Sequence, residues 1–227
     1  MGALDLARRV AEVRQRIDAA VARGGHGQRV TIVAVTKTHG PEAVEAAYRA
    51  GLHDVGENRV QEALKKMDAV TVPVRWHLIG HLQRNKVKEV GRFAMVHSVD
   101  SARLADAVSD YGVARHEAVD ALVQVSVVGE ESKGGFSPDE MAAEAERFTA
   151  RAGVQVMGVM TMAPLDADER TLRTVFRGAR EAREKLIGAG HPAHALSMGM
   201  SSDFEIAVEE GATMVRLGTV LFGARDT

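Results

Sequence analysis

Leu6, Val10, Val13, Ile17 and Val21 recur every three or four positions, which predicts an amphipathic helix that Gly24 and Gly25 end. Beyond it the pattern changes to short apolar runs near 31–35, 52–55, 75–79, 94–99, 121–128, 154–160, 194–198 and 213–217. Helical patterns lie between them, near 41–50, 58–69, 83–91, 101–115, 138–152, 167–188 and 202–210. Runs such as "ALVQVSVV" and "VQVMGVMTM" are rich in valine and almost continuously apolar, as strands covered on both faces are. Eight strands alternating with helices predict an α/β fold, a single (β/α)8 barrel over residues 1–227. A doubly wound open sheet is the alternative that alternation alone leaves open. The chain stops soon after the eighth strand, so the last helix is expected to be short and the N-terminal helix to cover part of the barrel.

Composition narrows the class. The 227 residues are 45% hydrophobic and 26% charged, with a net charge of −2 and no cysteine. Disulfides, thiolate metal sites and cysteine nucleophiles are therefore excluded. The charge argues against nucleic acid or an anionic membrane as partner, and no apolar run reaches membrane-spanning length. The charged start "MGALDLARRVAEVRQRI" is unlike a secretory signal, and a cytoplasmic location is expected.

The first candidate for chemistry is Lys37, at the end of the first strand. Period-two alternation puts Val33, Val35 and Lys37 on one side of it, so if the valines face the barrel interior the lysine reaches the mouth. A partly desolvated amine there can attack an aldehyde, although a lysine snorkelling to solvent would look the same. At the other end, "LSMGMSSDFEIAVEEGA" runs from the seventh strand into a helix. Ser202 and Glu205 match a capping box, which predicts a helix start at Ser202 with Ser201 just before it. Gly218 and Thr219 follow the eighth strand. The loops after strands seven and eight are the usual phosphate site of such barrels. Arg216, inside the eighth strand, needs a partner: a ring nitrogen of a cofactor, or a glutamate in a structural salt bridge. An amine for an aldehyde, a phosphate cradle and an arginine for a ring nitrogen describe a site for pyridoxal 5′-phosphate (PLP). A barrel holding some other phosphorylated metabolite is the alternative.

Other motifs carry less. His77 and His81 have the spacing of a helical metal pair, but "RWHLIG" reads as a strand and no third ligand is evident, so no metal is expected. "QRNKVKEVGR" reads as a solvated helix face, and "VGEESKGGF" as a surface loop whose Gly-Gly pair would also suit a lid. Met157, Met160, Met162, Met198, Met200 and Met214 read mostly as soft core packing, with Met200 beside the phosphate motif.

The stretches "AVTKTHGPEAVEAAYRAG", "VGENRVQEALKK", "RWHLIGHLQRNK", "VHSVDS" and "LSMGMSSDFEIAVEEGATMVRLGTVLFGAR" resemble the PLP homeostasis protein family, also called the proline synthase co-transcribed homologue family. The resemblance spans nearly the whole chain. It implies the TIM barrel of the alanine racemase N-terminal domain, the type III fold of PLP proteins. It makes Lys37 the Schiff-base lysine and puts Asn58 and Met200 near the cofactor. It also gives Ser201, Gly218 and Thr219 the phosphate and turns Arg216 to the pyridine nitrogen. Thr36 and Arg59 depart from the serine and tyrosine frequent at those positions.

Family membership implies intracellular PLP homeostasis, by buffering or delivery, with PLP-dependent apoenzymes as the acceptors. A weak amino-acid racemase is the alternative. Against it, alanine racemase adds a C-terminal β domain and a tyrosine on the second face of the cofactor. Tyr48 and Tyr111 fall in helical stretches with no evident reach to the pocket. With no such domain in the sequence, a monomer is expected.

Overall fold

The valine-rich runs become the staves of a closed barrel. In this computed structural model, which describes residues 3–128 and 134–223, eight parallel strands pair in chain order and the last returns to the first. They are β1 (Thr31–Val35), β2 (Asp54–Glu57), β3 (Arg75–Leu78), β4 (Met95–Val99), β5 (Val119–Gln124), β6 (Val154–Met160), β7 (Ala195–Ser197) and β8 (Met214–Leu217). The helices are α1 (Ala3–Gly24), α2 (Pro41–Arg49), α3 (Val60–Ala69), α4 (Ala102–Arg115), α5 (Glu140–Phe148), α6 (Glu169–Gly188), α7 (Phe204–Glu209) and α8 (Thr219–Phe222). The open-sheet alternative is thereby excluded.

Local chemistry explains most boundaries. Asp168 caps α6 by accepting the Thr171 N–H at 2.8 Å, and Leu172, Val175, Phe176, Ala179, Ala182 and Leu186 then turn one stripe onto the barrel. Pro41 opens α2, where its missing N–H has no partner to lose. The run Arg84–Arg92 is a 3-10 helix rather than the expected α-helix. At three residues per turn Val87 and Val90 eclipse, and both are buried. The fifth strand stops at Gln124, short of the expected 128, and Val125 bridges to Phe136 instead. Part of the loop beyond it, 129–133, where a lid was considered, lies outside the described residues.

The last two helices are short, six and four residues. The long α1 covers the gap, packing on α2, α7 and α8. It approaches so closely that a Cβ on Gly24 would sit 2.4 Å from the Glu209 carbonyl oxygen. Arg16–Glu205 and Arg23–Glu209 ion pairs lace the same seam.

The apolar core has two layers. The larger lies between strands and helices. Inside the barrel are two small clusters: Val33, Val35 and Ile79 on one side, and Met95, Leu122 and Met160 on the other, with Met157, Met162 and Met214 against the second. Between them the interior is polar, with Asp54, His77, His97, Ser197 and Arg216 all buried. Barrel interiors are more often filled by branched aliphatic layers.

Candidate functional site

At the C-terminal mouth of the barrel is a cavity of about 750 Å³, a size that suits a small metabolite or cofactor. Lys37, Asn58, Met200, Ser201, Arg216, Gly218 and Thr219 all line it, so the residues singled out in the sequence meet in one place. Val35 and Ile79 supply an apolar floor, and Met162 and Leu165 an apolar rim. Gly80 presses on Asn58 so tightly that a Cβ there would come within 2.3 Å of the Asn58 carbonyl oxygen.

Lys37 stands where the alternation puts it, two residues past the end of β1 and half-buried. Its backbone is clamped from α3 on both sides. The Lys66 Nζ donates to the Thr36 carbonyl at 2.7 Å, and the Glu62 carboxylate accepts the Thr38 N–H at 2.7 Å. Thr38 sits at φ +68°, a left-handed conformation that a β-branched residue adopts only under constraint. Below the clamp is Glu57, fully buried. Its Oε1 accepts from Lys66 Nζ at 2.7 Å and from the Thr36 hydroxyl. Its Oε2 has no hydrogen-bond partner among the described residues. Burial outweighs the ammonium and holds the Glu57 carboxyl above the usual carboxylate range.

The neighbouring stave, β8, is built differently. Arg216 is 5% exposed, and among the described residues no glutamate or aspartate forms an ion pair with it. Its Nη1 donates to the Ser197 carbonyl and hydroxyl, both at 2.7 Å, and Nη2 to the Thr161 carbonyl at 2.9 Å. Burial pushes its pKa down to about 10, only partly opposed by the Asp203 carboxylate, so it is a cation at neutral pH.

The expected capping box does not form. The helix begins at Phe204, with Asp203 before it, and the Asp203 carboxylate accepts the Met200 N–H at 2.6 Å. Glu205 turns away to Arg16. The loop can reach Asp203 because Gly199 takes φ +93° with Phe204 and Ala207 packed against it. Ser201 instead serves the next element: its Oγ accepts the Val220 N–H at 3.2 Å, in the first turn of α8. First-turn N–H groups have no intrahelical partner. Gly218 and Thr219, which open that turn, line the cavity beside Ser201.

His81 is also at the rim. Its Nδ1 lies 2.9 Å from the Asp100 carboxylate, and its side chain is 68% exposed. His77 does not join it, being deep inside the barrel against Asp54 and His97. No group of acidic and histidine side chains that could hold a metal exists among the described residues. Tyr48, beside His53, and Tyr111, against Gly91, are both away from the cavity. Sequence reasoning missed Glu57, Glu62, Lys66 and Asp100. Only the Glu62–Lys66 spacing of four on a helix was open to it.

A closed parallel barrel with an amine, a buried cation and a hydroxyl-lined turn around one mouth cavity defines a (β/α)8 barrel with a site for a small molecule at its C-terminal end. The family model for the alanine racemase N-terminal domain matches residues 9–226. The pyridoxal phosphate homeostasis protein of Aquifex aeolicus is 41% identical over 225 residues, spanning 96% of this chain and 97% of that protein. PipY of Synechococcus elongatus, solved with PLP bound, is 34% identical with a TM-score of 0.85, over 96% of this chain and 100% of that one. Alanine racemase of Corynebacterium glutamicum shares the fold at 14% identity and a TM-score of 0.76; the match covers 98% of this chain and 62% of that enzyme. This chain belongs to the pyridoxal phosphate homeostasis protein family, within the wider alanine racemase N-terminal-domain family.

Proposed function

We propose that this protein binds PLP at the barrel mouth with Lys37 as its covalent anchor, and keeps it in reserve for other proteins. The observation that carries the reading is one cavity lined by Lys37, Arg216, Ser201, Gly218 and Thr219. The residues fit the cofactor's three functional parts. A neutral amine condenses with an aldehyde and releases water, which is the task given to Lys37. The phosphate goes to the Ser201 hydroxyl and to the Gly218–Thr219 turn. The ring nitrogen goes to Arg216, with Asn58 and Met200 beside the ring. The PLP-bound relative PipY supports the assignment.

When bound, PLP supplies an aldehyde and an electron-withdrawing ring. A permanent cation facing the ring nitrogen leaves that nitrogen unprotonated and the ring a weaker electron sink. That favours holding over carbanion chemistry, and an incoming amine, from a metabolite or an apoenzyme lysine, would exchange for Lys37 at the aldehyde carbon and leave the Lys37 amine free again. The setting proposed is a cytoplasmic monomer. Among the described residues no helix is long and apolar enough to cross a membrane.

Titration with PLP, with pyridoxal lacking the phosphate and with pyridoxine phosphate lacking the aldehyde tests this. PLP should give a saturable visible band, pyridoxal a much weaker one and pyridoxine phosphate none. The absence of any PLP-dependent band ends the proposal.

The His81–Asp100 pair favours a second reading, a slow racemase, because it puts an acid–base group at the same cavity. Exchange of an amino acid's α-proton with solvent, lost in both Lys37→Ala and His81→Ala, would establish it. No exchange across the common amino acids leaves the carrier.

A further inference from the structure

Five buried polar residues on five different strands join into one chain across the barrel interior. Arg216 Nη1 is 2.7 Å from Ser197 Oγ, and Ser197 Oγ is 3.0 Å from His97 Nδ1. His97 Nε2 is 2.9 Å from His77 Nδ1, and His77 Nε2 is 2.9 Å from Asp54 Oδ1. Arg75 closes the far end on the same Asp54 carboxylate.

The two ends fix the direction of the terminal bonds, and with both imidazoles in the neutral form the bonds between them are fixed as well. Asp54 is held well into its charged form, at about 2, because hydrogen bonds from His77 and Arg75 outweigh its burial. An ionised carboxylate only accepts, so His77 must donate from Nε2. A neutral His77 then offers Nδ1 as a lone pair, and His97 must donate from Nε2. His97 is neutral: full burial disfavours its charged form, and the Arg216 cation opposes it as well. Its Nδ1 is therefore an acceptor, and the Ser197 hydroxyl points its proton there. That leaves a serine lone pair facing Arg216, which can only donate. Each link is satisfied and none can be reversed alone.

We propose that Ser197, His97, His77 and Asp54 are positioning residues for Arg216: a one-way relay that keeps a serine lone pair on the guanidinium and fixes its orientation in the ligand cavity. The inference deepens the PLP reading and rests on it for the identity of the ligand. It explains how a buried arginine is held with no carboxylate among the described residues in contact. The anion that orders its contacts stands at the other end of the relay, while Asp203 acts on the charge only through space. It also explains the polar interior, since replacing any one member by an apolar residue leaves its neighbour's donor or acceptor unmatched.

The test is nitrogen-15 NMR of the ligand-free protein, read at the two imidazoles and at the Arg216 guanidinium. The expected result is His77 and His97 both neutral and both protonated on Nε2, with slowly exchanging Arg216 Nη protons. Ser197→Ala and Asp54→Leu should speed that exchange roughly tenfold, the effect of one lost charge-assisted hydrogen bond. Arg75→Met, which breaks the Asp54 ion pair but spares the relay, should leave it unchanged. A charged His97, or one protonated on Nδ1, overturns the proposal in the wild-type protein alone, whatever the variants do. Unchanged Arg216 exchange in folded Ser197→Ala overturns it as well. PLP is then added: a wild type that fails to bind it defeats the functional reading, while the ligand-free spectra still decide the relay.

Discussion

Lys37 and Arg216 line one cavity from the neighbouring staves β1 and β8, and the barrel holds them in opposite ways. At Lys37 the grip is on the backbone, through Lys66 on one side and Glu62 on the other. At Arg216 the grip is on the head group, through the oxygens of Ser197 and Thr161. The first wall is anchored by a buried ion pair, Glu57 with Lys66, and the second by neutral acceptors. The difference suits two tasks. A residue that must form and break a bond needs a fixed root, whereas one that recognises a ring needs a fixed tip.

The comparison breaks most sharply at Lys37. Lys37→Ala should abolish covalent PLP capture completely, while the protein still unfolds cooperatively on heating, because the Lys66 and Glu62 clamp acts on the backbone and stays in place. Loss of both capture and fold would mean that the amine is structural.

Next in size is the clamp. Lys66→Met leaves the Glu57 carboxylate buried without its cation, at a cost of about 3–5 kcal/mol in urea unfolding. The pH dependence has a definite sign. The Glu57 carboxyl is raised in the folded protein, so the folded state binds more protons and stability falls as pH rises past the ordinary carboxylate range. The deficit of Lys66→Met should accordingly shrink in acid and be largest at neutral pH.

Asp54 has the reverse sign. Its pKa falls from 3.8 to about 2 on folding, so its contribution is complete above 3.8 and is lost as pH drops towards 2. That shift is worth about 2 kcal/mol. Asp54→Asn should remove it at neutral pH and flatten the acid limb of the stability curve. An unchanged acid limb would show that Asp54 is not the group titrating there.

The smallest effect is at the second wall. Arg216→Lys keeps a cation but not the planar fork, and PLP affinity should fall roughly tenfold. If lysine binds as well as arginine, charge alone suffices and the fixed tip is unnecessary.

Much of this was readable along the chain, and the rest was hidden for a physical reason. Alternating periodicities gave eight strands, and period two alone aimed Lys37 at the mouth. Arg216 was recognisable as a cation out of place in an apolar strand. The partners of both were not, because they come from other elements, a helix for Lys37 and other staves for Arg216. Glu57 lies on β2, while His97 and Ser197 are a hundred residues apart and meet only once the barrel closes. His77 and His81 share the spacing of a helical pair, but "RWHLIG" read as a strand, and along that strand the same spacing separates the core from the rim. The capping box failed for a local reason, since Asp203 sits closer to the turn and accepts the Met200 N–H first.

The central claim is that the Lys37 amine holds the cofactor's aldehyde. The direct measurement is the visible spectrum of the PLP-loaded protein before and after borohydride, followed by mass-spectrometric mapping of the labelled peptide. A band that bleaches, with reduced PLP found on Lys37, is the predicted result. A label on another lysine, or a protein that stays colourless with PLP, would contradict the account.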